Sequence, residues 1–404
     1  MRPSHTFTKI TTMIGISAIV LLAVEILLRI AQYPPPIPSG WGWDGSPRRG
    51  LAATNDSVQN ELGLRGNPFS YGTDDIVVLL VGDSNVEAAT SGLDRMPERL
   101  LERHLSTLLP SRTFKVFSLA ASGWGQDQQL LALERYFQAY RADLVLVWAQ
   151  PVNDFWENTF PDRNEHIKPT FWFDGQSLQG PFFHDGVHLS RFRIWDLAIR
   201  AKLQFRHRSV AQHILHEWVP RLPSDARAPS ESRPPRCTNL PVINQQDLAK
   251  DIFSLSDERR VVVRTTEDVQ HSRSHFSPYI RPRSPKDNYL IDITRALVAR
   301  IKTTAEKHKA AFSVFYPIRP DFDNSGKRGV RCVETSTGQL FEAQLDMPEL
   351  LRSLVAQPDL IEITLQGREE ISVSPTDRHF STIGNDQAMQ LLAQEVLRRH
   401  LIRQ

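Results

Sequence analysis

Compact apolar runs and segments of helical periodicity alternate along much of this 404-residue chain. Five runs read as strands: Ile76–Val81, Phe114–Leu119, Leu144–Trp148, Ala311–Tyr316 and Leu360–Leu365. Each is short and mainly apolar, and Ile76–Val81 and Leu144–Trp148 are apolar at every position, the pattern of a strand buried on both faces of a parallel sheet. Between them, apolar residues recur every three or four positions near Arg95–Leu109, Gln126–Tyr140, Tyr289–His308 and Met347–Val355. A last helical pattern covers Asn385–Leu401. Strands that alternate with helices predict an α/β fold: a three-layer α/β/α sandwich around a five-stranded parallel sheet.

A different pattern opens the chain. Arg2 and Lys9 precede an apolar run from Ile10, broken only by Glu25 before Ile26-Leu27-Leu28 and Arg29. A bilayer span needs roughly 20 apolar residues, and Glu25 with Arg29 one turn on is tolerable near the far interface. Residues 1–9 then form a cytoplasmic tail and residues 10–32 a signal-anchor helix, with everything after it on the extracytoplasmic side. A cleaved signal peptide is the rival reading, but Glu25–Arg29 stands where a small-residue cleavage site belongs. Pro34-Pro35-Pro36-Ile37-Pro38 follows as a stiff spacer, so residues 33–73 read as a stalk and lead-in.

The predicted sandwich splits into residues 74–162 and 287–404, around an insertion at 163–286. Within the insertion, Arg191–Trp218 mixes apolar and basic residues at helical spacing. It reads as a helix packed on the main domain or lying on the membrane surface. Pro220–Pro241 is rich in Pro, Ser and Arg and reads as a loop. Cys237 and Cys332 are the two cysteines; in an exported chain they either pair, tying the insertion to the main domain, or stay as thiols. The formal net charge is only +2, which suggests no nucleic-acid partner.

The first strand stops at Gly82-Asp83-Ser84, where a serine hydroxyl meets the C-terminal sheet edge, the place where open α/β folds bind ligands. Three further signals follow: Phe117–Gly125 after the second strand, Pro151-Val152-Asn153-Asp154 after the third, and Thr376-Asp377-Arg378-His379 before the last helix. Acyl transfer needs a nucleophile, a base and a group that orients the base. Ser84, His379 and Asp377 are the candidates in that order. It also needs donors for the developing oxyanion, each worth roughly 3–4 kcal/mol when well placed. The backbone N–H groups of Ser84 and Gly123 and the side-chain amide of Asn153 are the candidates. Asp83 and Asp154 are expected to hold loop hydrogen bonds instead.

Taken together, these blocks resemble the SGNH (GDSL-type) hydrolase superfamily, whose four blocks supply a serine, a glycine, an asparagine and an Asp/His pair in that order. The wording of GWGQDQQLLALERY, PVNDFWENT and the lead-in Leu62-Gly63-Leu64-Arg65-Gly66 is similar to its membrane-anchored branch. The resemblance covers about Asn60–Asn158 and Lys307–Ile402, and it implies the flavodoxin-like strand order 2-1-3-4-5. Two departures stand out. Pro151 replaces the glycine that usually opens the third block, and Asp377 lies two rather than three residues before His379. The shorter spacing also resembles polysaccharide O-acetyltransferases. An α/β-hydrolase elbow, Gly-x-Ser-x-Gly, is absent at Ser84. His184-Asp185-Gly186-Val187-His188 has the family's usual spacing, but no strand–helix pair follows to carry it to the sheet edge.

The resemblance implies a serine esterase acting on O-acyl esters, acetyl above all, with a cell-surface glycan as substrate. An O-acetyltransferase with the same triad, which would need a membrane partner to donate the acyl group, is the alternative. A non-catalytic glycan-binding protein is the third class. No cofactor or metal is expected: His213/His216 with Glu217, and His271/His275, are pairs without a third ligand cluster. Neither a phosphate-binding loop nor a dinucleotide fingerprint occurs.

Overall fold

A computed structural model describes residues 5–31, 58–159, 162–163, 166–182, 192–195, 197–198, 237, 240–244, 260–266, 276–281, 283, 285–318, 329–336, 338–343, 347–366, 370–374 and 379–402. After the N-terminal helix α1 (His5–Ile30), the chain alternates β1 (Ile76–Gly82), α2 (Ser84–Glu87), α3 (Pro97–Leu108), β2 (Phe114–Ala120), α4 (Gln126–Tyr136), β3 (Leu144–Trp148) and α5 (Pro151–Glu157). Seven short strands follow: β4 (Asp162–Arg163), β5 (His166–Ile167), β6 (Thr170–Phe173), β7 (Leu178–Phe182), β8 (Val242–Asn244), β9 (Arg260–Arg264) and β10 (Ile280–Arg281). The sandwich resumes with α6 (Pro285–Lys307) and β11 (Ala311–Ile318), is interrupted by β12 (Gly329–Glu334) and β13 (Leu340–Ala343), and closes with α7 (Met347–Leu354), β14 (Leu360–Thr364) and α8 (Thr382–Arg398).

The main sheet runs β2-β1-β3-β11-β14 with every pairing parallel. Counted along the chain, that is the predicted order 2-1-3-4-5. All seven residues of β1 and all five of β3 are buried, because each strand has a strand on both edges and a helix layer on both faces. Helices α3 and α8 pack together on one face. On the other, α6 packs against α4, α5 and α7. Their apolar faces meet the sheet in one core that includes Leu100, Leu133, Leu297 and Leu392.

A second sheet, β10-β13-β12-β9-β8, is not foreshadowed by the sequence pattern. It draws strands from both sides of β11, with β8, β9 and β12 parallel and β10, β13 and β12 antiparallel. Its small core holds Cys237, Val262 and Cys332. The two cysteines form a disulfide, with Cα atoms 5.9 Å apart, closing a span of 95 residues.

Helix α1 contains one stretch, Thr12–Ile30, long and apolar enough to cross a membrane, with a mean hydropathy of 2.4. Most of its side chains are exposed, and Glu25 is the buried exception. Of the predicted Arg191–Trp218 helix, residues 193–195 and 197–198 are helical; the remainder, and most of Pro220–Pro241, lies outside the described residues.

Candidate active site

The β1–α2 junction is a tight strand-to-helix turn. A Cβ on Gly82 would stand 2.4 Å from Val86 Cγ2 and 3.4 Å from Trp148 Cβ. Val86 and Trp148 are both fully buried, so neither can withdraw and the position needs glycine. Asp83 caps the turn: its Oδ1 accepts the Asn85 backbone N–H at 2.9 Å and the Asn85 side-chain amide at 3.1 Å. Ser84 begins the single helical turn, which ends at Ala88 in left-handed conformation.

The far end of the turn is held from the lead-in. Asn60 folds the lead-in by accepting the Leu62 and Leu64 N–H groups and donating to Ser118 O on β2. That fold delivers the buried Arg65, whose guanidinium donates to Glu87 O (2.8 Å), Ala88 O (2.7 Å) and Ser91 O (2.6 Å). Nearby, the buried Glu98 accepts the backbone N–H groups of Ser118 and Asn67. A Cβ on Gly66 would run into Glu98. Ser84 therefore sits on a turn whose closing carbonyls, Glu87 O and Ala88 O, each have a donor.

Glu87 links this turn to the second block. Its carboxylate accepts the Ser122 N–H at 2.7 Å, and the next residue, Gly123, is buried with φ of 77°. A side chain would strain that backbone, which accounts for glycine there. Burial pushes the Glu87 carboxyl up to about 7, against the Ser122 hydrogen bond and the Arg65 charge.

The third block starts α5. Asn153 lies in its first turn, and its amide approaches the buried Asp83 carboxyl. Burial raises the pKa of Asp83, while Asn85, His379 and Asn153 oppose the rise. Asp154 faces the other way. It accepts Gln126 Nε2 at 2.5 Å and the Gln150 N–H at 2.6 Å, and burial with the Asp83 charge pushes it up to about 8. Asn158 completes the link, donating to Gln126 Oε1 at 2.6 Å and to Thr294 Oγ1 of α6 at 2.9 Å. Gly125 leaves room for it, since a Cβ there would stand 2.4 Å from Asn158 Oδ1. Next to Gln126, Asp127 pairs with the fully buried Lys168. The polar residues of the second and third blocks thus lock to each other beneath the loops.

His379 arrives from the opposite end of the chain. The neighbouring Phe380 is buried, with its ring centroid 5.3 Å from that of Trp148. The following Ser381 caps α8 by accepting the Gly384 N–H at 3.1 Å. Immediately before these anchors His379 stays exposed, with Nε2 2.9 Å from Ser84 Oγ. In the tautomer protonated at Nδ1, Nε2 accepts the serine hydroxyl proton.

Ser84 and His379, which are 295 positions apart, are therefore in direct contact. Gly123, on the β2–α4 loop, and Asn153, in the first turn of α5, are tied to the serine turn through Glu87 and Asp83. Asp83 and Asp154 hold backbone and amide groups around them. Asp377 is outside the described residues, as are Asp185, His188 and the histidine pairs at 213/216 and 271/275. Among the described residues no group of three or more metal-ligating side chains occurs. Sequence reasoning missed Arg65, Glu87, Gln126 and Asn158. A polar run such as Gln126-Asp127-Gln128-Gln129, fully buried here, reads as a solvated helix start unless its partners on α5 are known.

No protein-family model and no curated protein matches the sequence. Solved structures that match include the lipase Lip_vut3 from a goat rumen metagenome, with TM-score 0.33 and 10% identity over 81% of this chain and 99% of that one. A lipase/acylhydrolase from Enterococcus faecalis matches with TM-score 0.26 and 11% identity, covering 81% of this chain and 97% of its own. The acetyl xylan esterase AlAXEase matches with TM-score 0.27 and 13% identity, covering 80% and 100%. At such scores the likeness carries nothing about this chain's reaction; the assignment of the parallel α/β sandwich rests on its own strand pairings.

Proposed function

We propose that this chain is a membrane-anchored serine esterase of the SGNH type that hydrolyses O-acyl esters. The contact between Ser84 Oγ and His379 Nε2 carries the reading. His379 takes the hydroxyl proton as Ser84 Oγ attacks the ester carbonyl. Asp377 would accept the Nδ1 proton's hydrogen bond and stabilise the imidazolium. The oxyanion would be met by the Ser84 and Gly123 N–H groups and by one N–H of the Asn153 amide. His379 then returns the proton to the departing alcohol, leaving an acyl-Ser84. Water, deprotonated by the same histidine, releases the acid.

The Ser84–His379 pair would serve water and a sugar hydroxyl alike as acceptor, so product analysis has to separate hydrolysis from transfer. An extracytoplasmic position puts O-acetylated surface glycan within reach, and makes it the substrate class to test first. The assay supplies an acetyl ester with and without added glycan. Free acetate from wild type and none above background from Ser84→Ala supports the esterase. Acetylated glycan formed faster than free acetate would make the enzyme a transferase instead.

A further inference from the structure

Glu25 should not be comfortable in a membrane helix, and how the structure accommodates it says more about the insertion. The carboxylate accepts Arg29 Nε at 2.8 Å on its own helix and the backbone N–H of Ile194 at 2.9 Å. The Arg193 backbone also bonds it. Residues 193–195 form a helical turn, with Trp195 N–H bonded to Phe192 O at 3.1 Å, and 197–198 are helical too. On α1 the partly or fully covered positions near this contact are Val24, Glu25 and Leu28, which share one face. So the insertion packs directly against the C-terminal part of α1.

Depth follows from helix geometry. At 1.5 Å per residue Glu25 lies about 7–8 Å from Ile30, so when Thr12–Ile30 spans the bilayer it falls about that far inside the border of hydrocarbon and headgroups, within the roughly 5–10 Å to which interfacial segments sink. The packed segment must share that depth. It also has the composition for it. Phe192 is 60% exposed, Trp195 62% and Leu197 39%. Phe192 and Trp195, three residues apart, project from one side of the turn. Two exposed aromatics and a leucine are costly in water and suit the bilayer interface, where a Trp ring places its apolar body and its N–H in matching surroundings.

We propose that residues 192–195 and 197–198 are a second membrane contact: an interfacial foot, held to α1 through Glu25, whose Phe192 and Trp195 enter the headgroup–acyl boundary. The foot fixes the catalytic domain close to the bilayer and hides Glu25 from lipid. The inference rests on α1 spanning the membrane.

The test uses the full chain reconstituted in phosphatidylcholine vesicles, with lipids brominated near the headgroup or near the chain end as quenchers. Flotation after an alkaline wash first reports on α1. The Trp195 signal is the difference between wild type and Trp195→Phe. We expect the protein to float, and the difference signal to be quenched at least about two-fold more by shallow than by deep bromines. Failure to float overturns the anchor and the foot together. A floating protein whose Trp195 signal ignores both quenchers overturns the foot and leaves the anchor standing. That holds whether Trp195 then faces water or is covered by a second copy, which crosslinking would distinguish.

Discussion

Around Ser84, three carboxyl groups are buried: Asp83, Glu87 and Asp154. Burial without full compensation favours the neutral acid, and it pushes Glu87 to about 7 and Asp154 to about 8. Because these folded-state values lie above the ordinary carboxylate range, the folded chain binds more protons than the unfolded chain between the two. Stability contributed by these groups is therefore present below the ordinary range and lost as pH rises towards 8. Asparagine at 154 keeps an oxygen for the Gln126 and Gln150 donors without the ionisation. Denaturant titrations at about pH 5 and about pH 8.5 should show Asp154→Asn losing about 2–4 kcal/mol less than wild type across that interval. Equal losses would mean that Asp154 is ionised throughout.

At the scale of elements, the lead-in does more than join an anchor to a strand. Arg65 alone satisfies three carbonyls at the end of the serine turn. Lysine can supply charge but not a planar fork. Arg65→Lys should cost about 2–3 kcal/mol of stability and slow acylation of Ser84 on the order of ten-fold, because the turn is no longer held to its geometry. A stability loss with unchanged acylation would make Arg65 structural only. The five main strands were legible because each is a short, mainly apolar run; Ile76–Val81 and Leu144–Trp148 are unbroken, and the other three carry one or two polar residues. Their flanking helices were legible by period, to within a few residues at the ends. The second sheet was not. Arg260–Arg264 and Gly329–Glu334 are short and carry charges, and Val262, Val263, Cys332 and Val333 are buried once the two strands pair with each other and with β8 and β13. In the site, the order of the blocks pointed to Ser84 and His379, which meet in the structure, and on the same ground proposed Gly123 and Asn153 as oxyanion donors. Arg65 and Glu87 could not be read, because a buried charge looks like a surface charge until the carbonyls and amides it serves are known.

Across the whole molecule, the disulfide joins the middle of the chain to β12, outside the five-stranded sheet that carries Ser84. A loop of 95 residues limits the unfolded chain strongly, up to about 5 kcal/mol by chain entropy. The Cys237→Ser/Cys332→Ser double variant should therefore melt at lower temperature while Ser84 remains reactive. Loss of reactivity with the main sheet intact would show that the second sheet shapes the site. With its insertion touching α1 at one end and the second sheet tied by the bridge at the other, the chain surrounds its α/β core with parts that lie outside the five-stranded sheet.

The most direct test of the Ser84–His379 pairing is fluorophosphonate labelling of the full chain in detergent, with the adduct located by mass spectrometry. Wild type should carry it on Ser84. Ser84→Ala should carry none, His379→Ala should lose labelling on the order of 10³-fold or more, and His188→Ala should label like wild type. Labelling of wild type at another residue, or loss with His188→Ala but not with His379→Ala, would contradict the account.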